Sequence, residues 1–545
     1  MALRIIYTIC FIALCAIDQF SGSLTGRVQF VTTNLTGVVM AVIILSAYDI
    51  KSFKKPVYAI WAGICLVGAP IAVVTGLKVY PYKGQWISGV LNVCIYGFIA
   101  IRVLLEMVSR RRAEKAGGLS SGVRWSVFIL WSGMLILMLA SRNESIWPLW
   151  FLFMFGSFYL TDYGPERLKK LYLGAIDGVI ISFFIIQGLA LLFRPYDEAR
   201  YLGMYLNPNI NALFYTMSYC ALLCKWFILK KENKILILRI LCGLFGAAMY
   251  GFGVLTGCKS ALLAMIAVTV VFLICILRYE KKKIIAFFRI SVFIAVVAVV
   301  SVPITYGAVR YMPTIHLHPI YFEGEYADWK VLPGEPRDSE KYISFDEMVS
   351  TNLGRIFLFW KPVGESAGSL IPGSEVIAAQ ETTLDTESYT DSGKGQLGEA
   401  EQPGYLYKGE GIPDSFTIRK LIYGYYIPKL NLLGHSNSDD GVDILEFYRA
   451  PHAHNFLIQF AFSFGIPAAL FTIAMVLTCA VHFFKLLKRN RDEFACIMGT
   501  FVTAFVVFGM LEYDWRLGQF SFFAFFFFFK TAVNREGQEL TQKTD

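Results

Sequence analysis

The stretch RAPHAHNFLIQFAFSFGIPAALFTIAMVLTCAVHFF, residues 449–484, begins polar and ends apolar. His452 and His454 stand two residues apart with Asn455 directly after, where a long polar segment gives way to the apolar run Phe456 to Phe484. The chain has six histidines in 545 residues, so two at one such boundary need an explanation. Imidazole is the side chain best matched to taking a proton from a hydroxyl near neutral pH. A base at a bilayer face suggests chemistry on a lipid-borne substrate.

Working outward, apolar runs recur near 5–20, 28–48, 57–77, 86–107, 125–141, 147–161, 171–193, 210–229, 235–256, 260–278, 284–307, 456–484, 494–511 and 517–529. A transmembrane helix needs about 20 apolar residues. With 56% hydrophobic and 16% aromatic residues and a mean hydropathy of +0.53, the chain reads as an all-α membrane protein. The expected fold is a polytopic helical bundle of about 12–14 transmembrane helices. The first run does not read as a convincing cleavable signal, because it lacks an Ala-x-Ala-type site and Asp18 follows where one would be expected.

Basic residues orient the stack. Lys51, Lys54 and Lys55 share one loop, and Arg110, Arg111, Arg112 and Lys115 the next alternate one. Arg167, Lys169 and Lys170, then Lys230, Lys231 and Lys234, then Lys281 to Lys283, then Lys485, Lys488, Arg489 and Arg491 continue the pattern. That face is expected to be cytoplasmic, with both termini, and residues 308–455 form one large extracytoplasmic loop domain. The domain plan is a membrane bundle over 1–307, the loop over 308–455, further membrane helices over 456–530 and a cytoplasmic tail over 531–545. Residues 308–455 hold 22 acidic and 12 basic side chains, a balance of −10 against +19 for the remainder. Scattered basic loops of this kind suit anionic lipid and not nucleic acid. None of the eleven cysteines falls in the loop, so it is not built on disulfides.

Within the loop, residues 308–361 read as a folded loop or short helices. Residues 362–414, acidic and poor in apolar side chains, read as a flexible insertion with no catalytic residues. Residues 415–434 read as an amphipathic helix against the membrane or the bundle, ending near Pro428 and Gly434.

The stretch HAHNFLIQFAFSFGIPAALF closely resembles the His-x-His-Asn signature that follows the large external loop of O-antigen ligases and O-antigen (polysaccharide) polymerases. GMYLNPNINALFY resembles the Asn-Pro-Asn segment of that superfamily, and LTGCKSALLAM resembles its small-Ser-Arg-x-Ala segment, with Lys259 where arginine is usual. The resemblance covers roughly residues 200–530 and implies a GT-C-like integral-membrane glycosyltransferase. It would move glycan from a polyprenyl-diphosphate-linked donor to a hydroxyl of a glycan or lipid-glycan acceptor outside the membrane, beside polysaccharide-assembly proteins. Such a step needs a base for the acceptor and cations for the leaving diphosphate, which can replace a metal. His454 is the expected base, with His452 as neighbour or orienter. Arg419, Arg355 and Lys259 are the expected diphosphate ligands, and no metal or other cofactor is called for.

Each assignment has a plainer competitor. Either histidine could anchor an interface, Asn455 reads first as a helix cap, and boundary cations commonly snorkel. Asp18, Asp177 and the Arg102/Glu106 pair lie in or near spans, where charge is costly; the last reads as a structural pair four apart. His316 and His318 with Glu323 and Glu325 suggest a metal less than a surface loop. Asp439, Asp440 and Asp443 read as a turn, since they miss the calcium-loop spacing. Two other functions compete. A metal-dependent oligosaccharyltransferase-like enzyme would place carboxylates in the first external loop, and Ser21 to Arg27 holds none. A glycan-lipid transporter or flippase would have no need of the histidine motif.

Overall fold

The computed structural model describes residues 1–23, 27–79, 83–115, 123–145, 147–193, 196, 200–205, 207–233, 236–314, 320–323, 328–331, 344–353, 415–436, 441–445, 448–450, 452–512 and 520–534. Eleven helices come first: α1 Ala2–Ser23, α2 Arg27–Leu45, α3 Pro56–Val79, α4 Lys83–Lys115, α5 Trp125–Leu139, α6 Trp147–Leu160, α7 Gly164–Phe193, α8 Pro208–Lys231, α9 Leu236–Leu255, α10 Lys259–Tyr279 and α11 Lys283–Tyr311. Two short ribbons follow in the polar segment, Ile320–Glu323 with Asp328–Val331 and Val442–Leu445 with Tyr448–Ala450, both antiparallel. Between them lie the one-turn α12 Phe345–Met348 and α13 Ser415–Tyr426. The chain then forms α14 Phe456–Phe464, α15 Ile466–Lys488, α16 Asp492–Gly509 and α17 Phe520–Val533.

Nine helices among the described residues are long and apolar enough to cross a membrane, and five shorter ones are apolar. The protein is a multi-pass helical membrane protein. Its centre is α8 together with α17, whose run Phe522 to Phe529 is buried against α6, α16 and their neighbours. Lys530 ends that run fully buried and donates to the carbonyls of Phe158 and Thr161, both at 2.8 Å. A charge placed there must be supplied with acceptors by the surrounding backbone.

Helix direction can be read from glycine contacts. Gly174 of α7 lies against Tyr7 and the Arg4 carbonyl, and Gly178 against Phe11 and the Thr8 carbonyl. Both chains advance four residues in the same sense, so α1 and α7 are parallel, packed through small residues one turn apart. Parallel helices require an odd number of crossings between them, and five helices intervene. Asp177 adds a charged clamp, accepting from Arg4 Nε at 2.8 Å and Lys225 Nζ at 2.6 Å, which ties α1, α7 and α8. Arg102 and Glu106 pair at 3.7 Å within α4, as their spacing suggests, with the guanidinium over the Tyr48 ring.

The ends of the bundle differ in chemistry. One end gathers the basic loops and knits them with ion pairs, Lys230–Glu280, Lys231–Glu493 and Arg278–Asp492. The opposite end gathers the start of α8, the α9–α10 turn, the starts of α14 and α15, and the end of α16.

The expected single span over 456–484 is corrected by the structure. The chain breaks at Gly465, where φ is +92°, into the nine-residue α14 and the membrane-length α15. The cause is a backbone clamp. Ile466 donates to the Asn431 carbonyl and His435 to the Phe462 carbonyl, both at 2.9 Å. A Cβ on Gly465 would strike the Leu432 carbonyl, and one on Gly434, at φ +72°, would strike Ser463. The amphipathic segment is likewise shorter than expected: α13 stops at Tyr426, followed by one 3-10 turn, Ile427–Lys429. Its buried residues Ile422 and Tyr426 pack on Ala450, Ala453 and Phe462.

Gly465→Ala is therefore expected to lower stability by at least about 1–3 kcal/mol, the usual cost of forcing a side chain into such a conformation. Thermal melting in detergent checks this against Gly424→Ala, where nothing lies within 4 Å and little loss is expected.

Candidate functional site

Asn455 builds the site. Its backbone is extended, and its side-chain oxygen accepts from Leu457 N at 3.0 Å and Ile458 N at 3.1 Å, which caps α14. Its amide nitrogen donates to the Met510 carbonyl at 2.9 Å. One side chain thus starts α14 and fastens that start to the end of α16, two residues before Glu512.

His454 precedes the cap with φ +46°, a left-handed conformation that is rare for a residue with a side chain. The turn is held by Gln459, which reaches back to accept from Ala453 N at 2.8 Å while donating to Ser463 Oγ. In this pose His454 Nδ1 lies 3.1 Å from Glu512 Oε2, and the other carboxylate oxygen, Oε1, lies 3.3 Å from the Arg419 guanidinium. The Glu512 side chain is 14% exposed. Burial pushes its carboxyl up, but the His454 hydrogen bond and the charges of His454, Arg419 and Arg200 outweigh this and hold it below the ordinary glutamate value.

A carboxylate on Nδ1 selects the tautomer with hydrogen there and leaves Nε2 with its lone pair. That leaves Nε2 as the acceptor nitrogen of His454, and an imidazolium formed on it would face a fixed negative charge. Glu512 holds the His454 ring at Nδ1, and His452 stands beside it as a neighbour. His452 is buried; its Nδ1 accepts from the His454 backbone at 3.3 Å and its ring lies 4.3 Å from the His454 ring.

Arg200 approaches from the other side. It donates through Nε to the Thr256 carbonyl at 2.8 Å and through its guanidinium to Asn209 Oδ1. Asn209 belongs to the Asn-Pro-Asn segment, where Asn207 caps α8, Pro208 takes the first helical position and Asn207 Oδ1 accepts from Asn209 N at 2.8 Å. Thr256 follows the end of α9, Gly257 turns the chain at φ +62°, and Lys259 opens α10, half-buried. Cys258, beside Lys259, is close enough to feel the charges of Glu512 and Arg200. Asn352, fully buried, donates to Tyr196 Oη and the Leu255 carbonyl and closes this side of the rim.

The three sequence segments thus meet at one end of the bundle, the end away from the basic loops. His454 and Arg419 come together on Glu512 with His452 against His454, and Lys259 starts a helix at the same rim. Arg355 lies outside the described residues, as do His316, His318, Glu325, Asp439, Asp440 and the insertion over 362–414. Sequence reading passed over Glu512 and Arg200. Each is a charge beside an apolar run or a quoted motif: Glu512 directly follows the run 494–511, and Arg200 stands just before GMYLNPN. Among the described residues, no group of three or more His, Cys, Asp or Glu is placed to hold a metal ion.

No family model matches the chain, and no curated protein or solved structure matches it.

The depressed Glu512 carboxyl implies a pH dependence of stability. Such a group contributes stability above the unfolded glutamate value, about 4.3, and loses it as pH falls through its lower folded value. Melting of the wild type in detergent should therefore fall more steeply below about pH 4.3 than that of Glu512→Gln. Parallel curves for the two proteins would contradict the paired carboxylate.

Proposed function

We propose that the protein is an integral-membrane glycosyltransferase of the O-antigen ligase or polysaccharide polymerase type. It takes glycan from a polyprenyl-diphosphate-linked donor and passes it to a hydroxyl acceptor at the outer face of a cell membrane. In this reading the termini are cytoplasmic, the bundle is GT-C-like with 12–14 crossings, and the polar segment 308–455 is extracytoplasmic. Acceptors are glycans or lipid-glycans, and polysaccharide-assembly proteins are natural partners.

The observation that carries the reading is the His454–Glu512 pair with Arg419 on the same carboxylate. His454 Nε2 takes the proton of the acceptor hydroxyl. The acceptor oxygen attacks the sugar C1, the bond from C1 to the diphosphate oxygen breaks, and the electron pair leaves with the diphosphate. Arg419 and Arg200, with Lys259 at the rim, hold that developing charge. Arg200 is fixed by neutral carbonyl acceptors and so reaches the site in one pose. An imidazole and Arg419 on one carboxylate, with the Arg200 charge acting on the same carboxylate, support anion-leaving transfer better than transport, which would require no oriented base.

Purified protein in proteoliposomes with a polyprenyl-diphosphate glycan and an acceptor provides the test. His454→Ala should lower transfer roughly 10²–10⁴-fold, the usual worth of a general base, with insertion unchanged. Arg419→Lys should lose far more than charge counting suggests, because lysine lacks the forked contact. Transfer should persist in EDTA. Near-full activity of His454→Ala would remove the base, and loss on chelation restored by magnesium or manganese would favour the metal-dependent reading.

A further inference from the structure

The turn after α13 carries apolar side chains into the open. Ile427 is 50% and Leu432 69% exposed, with Leu433 exposed beside them. Their conformation is not loose. Asn431 Oδ1 accepts from Leu433 N at 2.9 Å and Gly434 N at 2.7 Å, while its own carbonyl accepts from Ile466 N, the first residue of α15. The sequence therefore fixes Leu432 and Leu433 outward at a defined height.

That height is set by two membrane helices. Arg142 N, just past the end of α5, donates to the Leu433 carbonyl at 2.9 Å, and Asn143 Nδ2 donates to the His435 carbonyl at 3.4 Å. The turn thus sits on the outer end of α5 and on the start of α15, which pack together. Below it the exposed face of these helices is apolar, with Ile129 and Ile136 on α5 and Leu470, Leu477 and Val481 on α15. The helix α5 has 15 residues, which at 1.5 Å each spans only about 22 Å. A hydrocarbon core is about 30 Å thick. Leu432 and Leu433 extend the apolar face over the end of α5, where the helix falls short.

The flanks are amphipathic in the sense expected at an interface. Lys420 on α13 and Lys429 within the turn are both exposed, and Lys429 Nζ lies 3.4 Å from the centre of the Tyr425 ring. Lysine stems and tyrosine rings suit the headgroup level, where an ammonium meets lipid phosphate.

We propose that the turn Ile427–Leu433 is an interfacial anchor that inserts Ile427, Leu432 and Leu433 among the acyl chains of the leaflet at the site end of the bundle. Its partner is the bilayer itself, with anionic headgroups at Lys420 and Lys429. Anchored there, α13 presents Arg419 to Glu512 at headgroup-phosphate depth. The proposal concerns lipid contact and stands apart from the glycosyl-transfer reading.

The test uses the full chain in phosphatidylcholine–phosphatidylglycerol vesicles. Leu432→Cys is labelled with an environment-sensitive maleimide dye, and identically treated wild type supplies the background from native thiols. The expected result is blue-shifted emission, quenched several-fold more by lipids with a nitroxide at acyl carbon 5 than by aqueous iodide. Lys420→Cys should show the reverse preference. Ile427→Cys, treated in the same way, carries the test if Leu432→Cys fails to fold. Stronger quenching by iodide at these positions overturns the proposal by placing the turn in water. Protection from both quenchers overturns it too, by showing that protein covers the turn.

Discussion

A carboxylate at the mouth of a helical bundle cannot remain charged there without donors. Glu512 meets that requirement with two, one on each oxygen, and the local architecture follows from it. Losing either donor would leave a poorly hydrated charge, whose penalty commonly reaches several kcal/mol. So α13, which carries Arg419, and the His-Ala-His turn are both drawn to the end of α16. Asn455 makes the arrangement mechanical, since it caps α14 and holds the Met510 carbonyl with the same side chain.

The remainder of the bundle serves this convergence by direction. The parallel packing of α1 on α7, the charged clamp at Asp177 and the ion pairs among basic loops gather those loops at one end. The polar turns that open α8 and α10 consequently meet at the other end, where Arg200 bridges them through Asn209 and Thr256. The two glycines of the Leu432–Gly434 and Ser463–Gly465 contact allow backbone to lie on backbone, so the connection after α13 docks beneath the site without side chains between.

Local features were legible in the sequence. Asn455 as a cap, the Arg102/Glu106 pair and the apolar runs all depend on neighbours within a few residues. The break at Gly465 was not legible, because apolar residues flank it on both sides and its cause is the distant carbonyl of Leu432. Glu512 escaped for the same reason. It lies 58 residues from His454 and 93 from Arg419, and no local pattern relates it to either. The paired strands are four residues or fewer and carry no periodic run long enough to declare them.

The central claim is that Glu512 acts through His454 and not beside it. A double-mutant cycle on the rate of the proposed glycan transfer measures this directly. If the claim is right, Glu512→Gln slows the wild type markedly but costs His454→Ala almost nothing further, since there is no longer an imidazole to orient. Full additivity, with Glu512→Gln lowering the rate by the same factor in both backgrounds, would contradict it.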